Sequence, residues 1–361
     1  MWYITFHGGD DDAESQPAAH ARTASHKQAT KKSGVNKVYA YDDTGQLITK
    51  DVLPKHIPGV TLRELRGIAF GPDGDLYVVN AYWKYSQILH FKGAVNPDGS
   101  HDFVGIFAAP PSAEPSTFSV DAISHPFAFT YDPDGNWYIS SQDTNVVTRL
   151  PPNPATPLTV APYLAQTYPQ AQLLAGTFIT SSNGALAPQV ATNVPPLQGL
   201  EVLLATSAGA SSSSAAKVAK SVRDVVFHQG VLYVADEPAS AVKLYDGTSG
   251  ALIGQIADAR LLAQPVHLLL AGDTLLIGST GTADLAPAVL SYDPATKTLA
   301  GFITGIASPA GIAQGADGCF YVASRKDKAI MKYVPQSQTL SPFIQSLPDE
   351  PEFLLYVPNP A

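Results

Sequence analysis

Five times along the chain, a short apolar run stops at a polar turn with glycine and resumes as a second apolar run centred on Tyr or Leu. The copies are Arg66–Asn80 (RGIAFGPDGDLYVVN), His125–Ser141, Ser221–Asp236, Gln264–Thr280 and Ser308–Ser324. Short apolar runs flanking a tight Gly turn predict an antiparallel hairpin. Two further short strands follow each hairpin, as AVKLYD (241–246) and ALIGQI (251–256) follow Tyr233. The predicted unit is therefore a four-stranded meander. Its copies recur 43 residues apart from Tyr233 to Leu276 and 45 apart from Leu276 to Tyr321. A four-stranded unit at that interval is the blade of a β-propeller.

The two ends supply one more blade. Lys37–Asp43 and Leu47–Leu53 match the third and fourth strands, and Met1–Phe6 matches the second. The missing first strand is Glu350–Val357 at the far end of the chain. A blade built from both termini closes the ring and removes an exposed sheet edge. The expectation is an all-β protein: one six-bladed propeller domain over residues 1–361. Two segments depart from the period. Residues 8–35 are polar and read as a flexible excursion within the terminal blade. The step from Tyr138 to Tyr233 is 95 residues, about two blade lengths. Residues 165–220 are thus an insertion after the second internal blade or a degenerate seventh blade. The stretch SAGASSSSAAKVAK reads as a linker and favours the insertion. The fourth strand of the blade before it is expected at Ala161–Ala165, and Thr177–Asn183 resembles a second strand.

Composition narrows the function classes. Charged residues make up only 15% and apolar residues 45%, which suits sheets covered on both faces. A net charge of −9 argues against a broad nucleic-acid footprint. No run approaches the ~18 apolar residues of a membrane-spanning helix. The single cysteine, Cys319, excludes an internal disulfide framework. A soluble monomer is expected, cytoplasmic by default, or periplasmic or secreted if a leader has been removed. The nucleophile-elbow, Walker, zinc-protease and dinucleotide motifs are all missing from the sequence.

A repeat needs only its apolar positions to fold, so function would be written in polar residues at the rim. Aligning the copies on their turns gives the residues that open each inner strand: Glu64, His125, Ser221, Gln264, Ser308 and Glu350. Two positions further on come Arg66, Phe127, Arg223, Val266, Ala310 and Glu352. The second strands end at Asn80, Ser141, Asp236, Ser279 and Ser324, with His7, Gln142, Glu237 and Arg325 as neighbours. The candidate ligand-binding set is Glu64, Arg66, Asn80, His125, Arg223, Asp236 and Glu350. Arg66 and Arg223 occupy equivalent positions in different blades and would clamp a carboxylate or phosphate; paired with Glu64, Glu352 or Asp224 they would tie blades together instead. A candidate metal set is His7, His125, His267 and Glu64, whose imidazole and carboxylate donors suit zinc, with calcium as the other divalent ion considered. Trp83 and Tyr82 form an aromatic pair suited to a protein contact. The partner is expected to be a small molecule or a protein at the channel face.

The phrases PAGIAQGADGCFYVAS and VLYVADEPASAVKLYD resemble the NHL repeat. The match spans most of residues 37–347 outside the 165–220 segment. The resemblance implies a six-bladed propeller related to the SMP-30/gluconolactonase, strictosidine-synthase-like and peptidyl-amidating-lyase groups. It implies either a binding scaffold or a metal-dependent hydrolase or lyase. The amidating-lyase group holds a metal with histidines from different blades, which is what makes His7, His125 and His267 of interest. A shared ring does not by itself transfer any of these activities.

Overall fold

The computed structural model describes residues 1–8, 34–82, 86–109, 123, 125–142, 146–150, 177–179 and 222–358. Among them every regular element is a strand, and the strands form six four-stranded antiparallel sheets. Strands β1 (Trp2–Phe6), β2 (Tyr39–Tyr41) and β3 (Leu47–Thr49) belong to a terminal blade. Blade 1 holds β4 (Leu65–Phe70), β5 (Leu76–Asn80), β6 (Gln87–Val95) and β7 (His101–Ala108). Blade 2 holds β8 (Pro126–Tyr131), β9 (Trp137–Ser141), β10 (Val146–Leu150) and β11 (Thr177–Ile179). Blade 3 holds β12 (Val222–His228), β13 (Val231–Asp236), β14 (Ala241–Asp246) and β15 (Leu252–Ile256). Blade 4 holds β16 (Pro265–Ala271), β17 (Thr274–Ser279), β18 (Ala288–Asp293) and β19 (Thr298–Thr304). Blade 5 holds β20 (Pro309–Gln314), β21 (Phe320–Ser324), β22 (Ala329–Val334) and β23 (Thr339–Ile344).

The last strand, β24 (Pro351–Tyr356), pairs with β1 in the register Trp2↔Tyr356, Tyr3↔Leu355 and Ile4↔Leu354. The terminal blade therefore takes three strands from one end of the chain and one from the other, as the sequence implied. Each inner strand packs against the next, in the order β24, β4, β8, β12, β16, β20 and back to β24. The ring is closed.

In all five internal hairpins the turn glycine has a positive φ: Gly74, Gly135, Gly230, Gly272 and Gly318. That left-handed geometry is what a two-stranded turn needs and what a side chain resists. Inner and second strands are buried along most of their length, whereas outer strands such as β15 are largely exposed. Apolar clusters fill the seams between blades; Trp137, for example, packs against Tyr77, Phe107 and Phe129. At two points the inner strands nearly touch. A Cβ on Gly311 would lie 2.7 Å from Leu354 N and Phe353 Cα, and one on Gly67 3.0 Å from Ala128 Cα.

One strand differs from expectation. The edge strand paired with β10 is Thr177–Ile179, not Ala161–Ala165, which lies outside the described residues. Thr177–Ile179 therefore completes blade 2 rather than opening a seventh blade. The run reads as a strand in the sequence, but its pairing with β10 is a long-range contact that no local pattern records. The rest of the 165–220 segment, nearly all of the 8–35 excursion, and Trp83 also lie outside the described residues. No helix among the described residues is long and apolar enough to cross a membrane.

Candidate functional site at the channel mouth

The backbone at one end of the ring repeats from blade to blade. Glu64, His125, Gln264 and Ser308, which open four inner strands, are all left-handed, with φ of 49°, 51°, 52° and 62°. Their carbonyls accept the N–H of the residue that follows the second strand: Ala81, Gln142, Thr280 and Arg325, at 3.1–3.2 Å. In the terminal blade His7 N donates to Glu350 O at 2.8 Å. The strain at His125 is therefore architectural, because three chemically unlike residues share it.

Next comes a β-bulge in every inner strand. The register skips between Leu65 and Ile68, Pro126 and Phe129, Val222 and Val225, Pro265 and His267, Pro309 and Ile312, and again between Pro351 and Leu354. A bulge re-aims the side chain it carries. Here the bulged residues include Arg66, Phe127, Arg223, Val266, Ala310 and Glu352. Half are apolar and half charged, on one repeated backbone.

The charged ones form a network across blades. Glu352 Oε2 lies 3.5 Å from Arg66 Nη1 and 3.3 Å from Arg325 Nε. Arg66 and Glu352 are almost fully enclosed, at 4% and 2% side-chain exposure. Burial alone would raise the Glu352 pKa. The two guanidiniums outweigh it and hold the carboxyl far below the usual range, so it is a buried anion between two cations. Three groups compete for His7 Nδ1: Arg66 Nη1 at 2.8 Å, Arg325 Nη2 at 2.9 Å and Glu352 Oε2 at 3.3 Å. Guanidinium N–H groups only donate and a carboxylate only accepts, so Nδ1 meets both kinds of partner at once.

The network continues to both sides. Arg66 Nη2 is 3.5 Å from Glu64 Oε2, and the same oxygen is 3.1 Å from His125 Nε2. Burial raises the Glu64 pKa, but the hydrogen bond and charge of His125, with Arg66 and His7 behind, bring it below its ordinary value. On the other flank Arg325 Nη2 reaches the half-exposed Glu350 at 3.2 Å. Arg223 stands in blade 3, donating to Glu237 Oε2 at 2.7 Å and Gln142 Oε1 at 2.5 Å. Its guanidinium lies 5.0 Å over the Phe127 ring. Phe127 in turn meets Phe353, and Phe353 meets the edge of His267. These three rings come from alternate blades and fill the axis beneath the charged layer.

Of the residues singled out in the sequence, Glu64, Arg66, His125, Arg223, Glu350 and His7 lie in this layer. Three others do not serve it. Asn80 is buried; its Oδ1 accepts Arg63 N at 2.8 Å and its Nδ2 donates to Thr61 O and Gln87 Oε1, both at 3.0 Å. Asp236 is buried and its Oδ1 accepts Ala239 N at 3.4 Å. The matching Ser279 instead ties the loop ahead of its inner strand, its Oγ accepting Ala263 N at 3.1 Å and donating to Ala263 O at 2.6 Å. At Asn80, Asp236 and Ser279 the end of the second strand thus clamps a loop. His267 sits 2.8 Å from Asp224, deep between blades 3 and 4. Arg66 meets carboxylates rather than open space, so the Arg66–Arg223 clamp gives way to the blade-tying alternative. Arg325, Glu352, Glu237 and Gln142 entered the sequence reading only as neighbours or aligned positions. Their charge at aligned positions was the available signal.

The metal set does not converge. Among the described residues, the group of three or more ligand atoms lying within 4.8 Å of one another is Asp73, Asp75 and His90, at the opposite end. There Lys92 also binds Asp75, at 3.2 Å, and His90 stacks on Tyr77. In blade 5 the same register position holds Lys332, 2.7 Å from Asp317. His90 reaches Asp75 at 2.8 Å, so the same register position meets a turn carboxylate in both blades. At the mouth, His7 Nδ1 faces guanidiniums, which repel a metal ion. A cavity of about 280 Å³ lies beside the mouth under the 51–62 loop, lined by Leu53, Ile57, Val60 and Leu62 with Lys37 and Lys55. Asp51 pairs with both lysines.

No family model matches the chain, and no curated protein matches it. Among solved structures it is similar to a streptogramin B lyase, 11% identical over 88% of this chain and 80% of that one, with a TM-score of 0.48. It is also similar to a selenomethionine-substituted virginiamycin B lyase from Staphylococcus aureus, 12% identical over 80% and 73%, with a TM-score of 0.44. Likeness at this level says nothing about what this chain binds.

Proposed function

We propose that this propeller is a binding protein that takes a small polar ligand at the mouth defined by Arg66, His125, Arg223, Arg325 and Glu350. One observation carries the reading. The bulge position accepts Phe127, Val266 and Ala310 in three blades, yet holds Arg66, Arg223 and Glu352 in the others. The fold does not demand charge there, and a buried ion pair seldom stabilises more than apolar packing would. Charges of both signs gathered around one axis focus a field on a polar ligand.

A metal-dependent hydrolase or lyase needs several donors within reach of one ion. The mouth supplies the His125–Glu64 pair beside cations, which disfavours that alternative. Elemental analysis of the purified protein checks it: a stoichiometric ion lost in His125→Ala would revive it. For the binding reading, a metabolite library is screened by thermal shift on the full chain. Each compound that raises Tm is retested on Arg223→Ala and Arg325→Ala. Loss of the shift in both variants is expected. A shift untouched by both would put the ligand elsewhere.

A further inference from the structure

Most histidines among the described residues face a carboxylate. His7 meets Glu352, His90 meets Asp75, His125 meets Glu64, His228 meets Asp273 and His267 meets Asp224. His56 is exposed. His101, the first residue of β7, is fully enclosed, and no carboxylate among the described residues lies within 4 Å of its ring nitrogens. Its polar atoms are nonetheless committed. Nε2 lies 2.8 Å from the Tyr3 hydroxyl on β1. Nδ1 lies 2.6 Å from Lys92 O on β6. The backbone N–H donates to Val52 O, just after β3, at 2.9 Å. Two of these three bonds cross from blade 1 to the terminal blade, the blade that closes the ring.

A carbonyl only accepts, so Nδ1 carries the proton of the neutral ring and Nε2 accepts from Tyr3. A second proton, on Nε2, would face the Tyr3 hydroxyl, whose own hydrogen would then lose its acceptor in a site closed to water. Tyr3 stays protonated throughout, because burial lifts it to about 12. The edges of the Tyr3 and Phe70 rings enclose the imidazole without charge. Burial pushes the His101 pKa below its ordinary value; the bond to Lys92 O and the charges of Asp102 and Asp75 offset part of that. The Lys92 ammonium is itself paired with Asp75. Parting β1 and Val52 from β7 would let water reach the ring and let it take the proton. The open seam therefore binds a proton that the closed seam resists, and acid favours it from the ordinary histidine value of about 6.5 downward.

We infer that His101 is an acid-sensitive latch on the closing blade: between about pH 6.5 and pH 5, before the carboxylates titrate, the seam between the terminal blade and blade 1 opens ahead of the rest of the ring. The test is amide hydrogen exchange of the full chain followed by mass spectrometry from pH 7 to pH 5. Each amide is corrected for its intrinsic rate and compared with blade 4 in the same sample. Relative to β16–β18, amides of β1 and β7 are expected to gain up to about tenfold in exchange per pH unit, the limit for uptake of one proton. His101→Gln keeps an acceptor for Tyr3 and a donor for Lys92 O but does not titrate in this range, so the relative gain should vanish. A second readout needs no variant: exchange of the imidazole C2–H reports titration of the His101 ring in the folded chain. Exchange of β1 and β7 that tracks blade 4 at every pH would overturn the inference. So would a gain retained in His101→Gln, or a folded ring that titrates at about 6.5.

Discussion

The two ends of the ring use the same backbone differently. At the hairpin-turn end the side-chain chemistry repeats in three of the five internal blades. Tyr77, Tyr138 and Tyr321 each donate to the aspartate of their own turn, Asp73, Asp132 and Asp317, at 2.8–3.0 Å. Opposite the Tyr the third strand adds a side chain that meets a turn carboxylate, His90 in blade 1 and Lys332 in blade 5. Polar residues that recur with the blade serve the blade. At the mouth the backbone recurs but the side chains change, through Arg66, Phe127, Arg223, Val266, Ala310 and Glu352 at one bulge. What the fold does not require at equivalent positions is free to serve a ligand.

The largest effect that would break this comparison is at the buried pair. Glu352→Leu alone leaves Arg66 enclosed without its main partner and is expected to lose about 3–5 kcal/mol in urea denaturation. Adding Arg66→Met should restore most of that, because three other blades hold apolar residues at this position. A double variant as unstable as the single one would make the pair part of the fold. Gly311→Ala comes next. Its Cβ would meet backbone atoms of the terminal blade at 2.7 Å, so overpacking should cost about 1–3 kcal/mol. Gly67→Ala, with 3.0 Å of room, should cost less.

Acid sharpens the comparison further. Glu352 and Glu64 have depressed folded-state pKa values, so the unfolded chain binds protons first on acidification. Their stabilisation is complete above the ordinary glutamate value of about 4.3 and drains away as pH falls below it through the folded values. The Arg66→Met, Glu352→Leu double variant should show a flatter loss of Tm between about pH 5 and pH 2 than wild type. The smallest effect belongs to the other end. Asp317, held down to about 2 despite partial burial by Lys332 and its turn hydrogen bonds, pairs with a half-exposed lysine. Asp317→Asn should cost about 1 kcal/mol or less and leave ligand binding unchanged.

Blade number, ring closure and the residues that open each inner strand were all legible in the sequence, because turn glycines and apolar runs are local signals. The place of Thr177–Ile179 was not: the run reads as a second strand, whereas it pairs with β10 as the fourth strand of blade 2. The charged layer proposed as the site was half legible. Glu64, Arg66, His125 and Arg223 followed from alignment on the turns. Pairing of Arg66 with Glu352 was one of the alternatives the alignment left open; that Arg325 joins them depends on the ring bringing residues more than 250 positions apart into contact, which no local pattern records. Asn80 and Asp236 looked like ligand groups because a loop clamp and a binding residue share the same polar alphabet.

The most direct test is Arg223→Ala, which installs the residue type that blade 5 carries at Ala310, with stability and ligand affinity measured on the same preparation. The account predicts a Tm within about 2–4 °C of wild type, as a loss near 1 kcal/mol would give, together with at least about tenfold weaker binding of the ligand found by screening. A large fall in Tm with affinity retained would contradict it, and would return Arg223 to the fold.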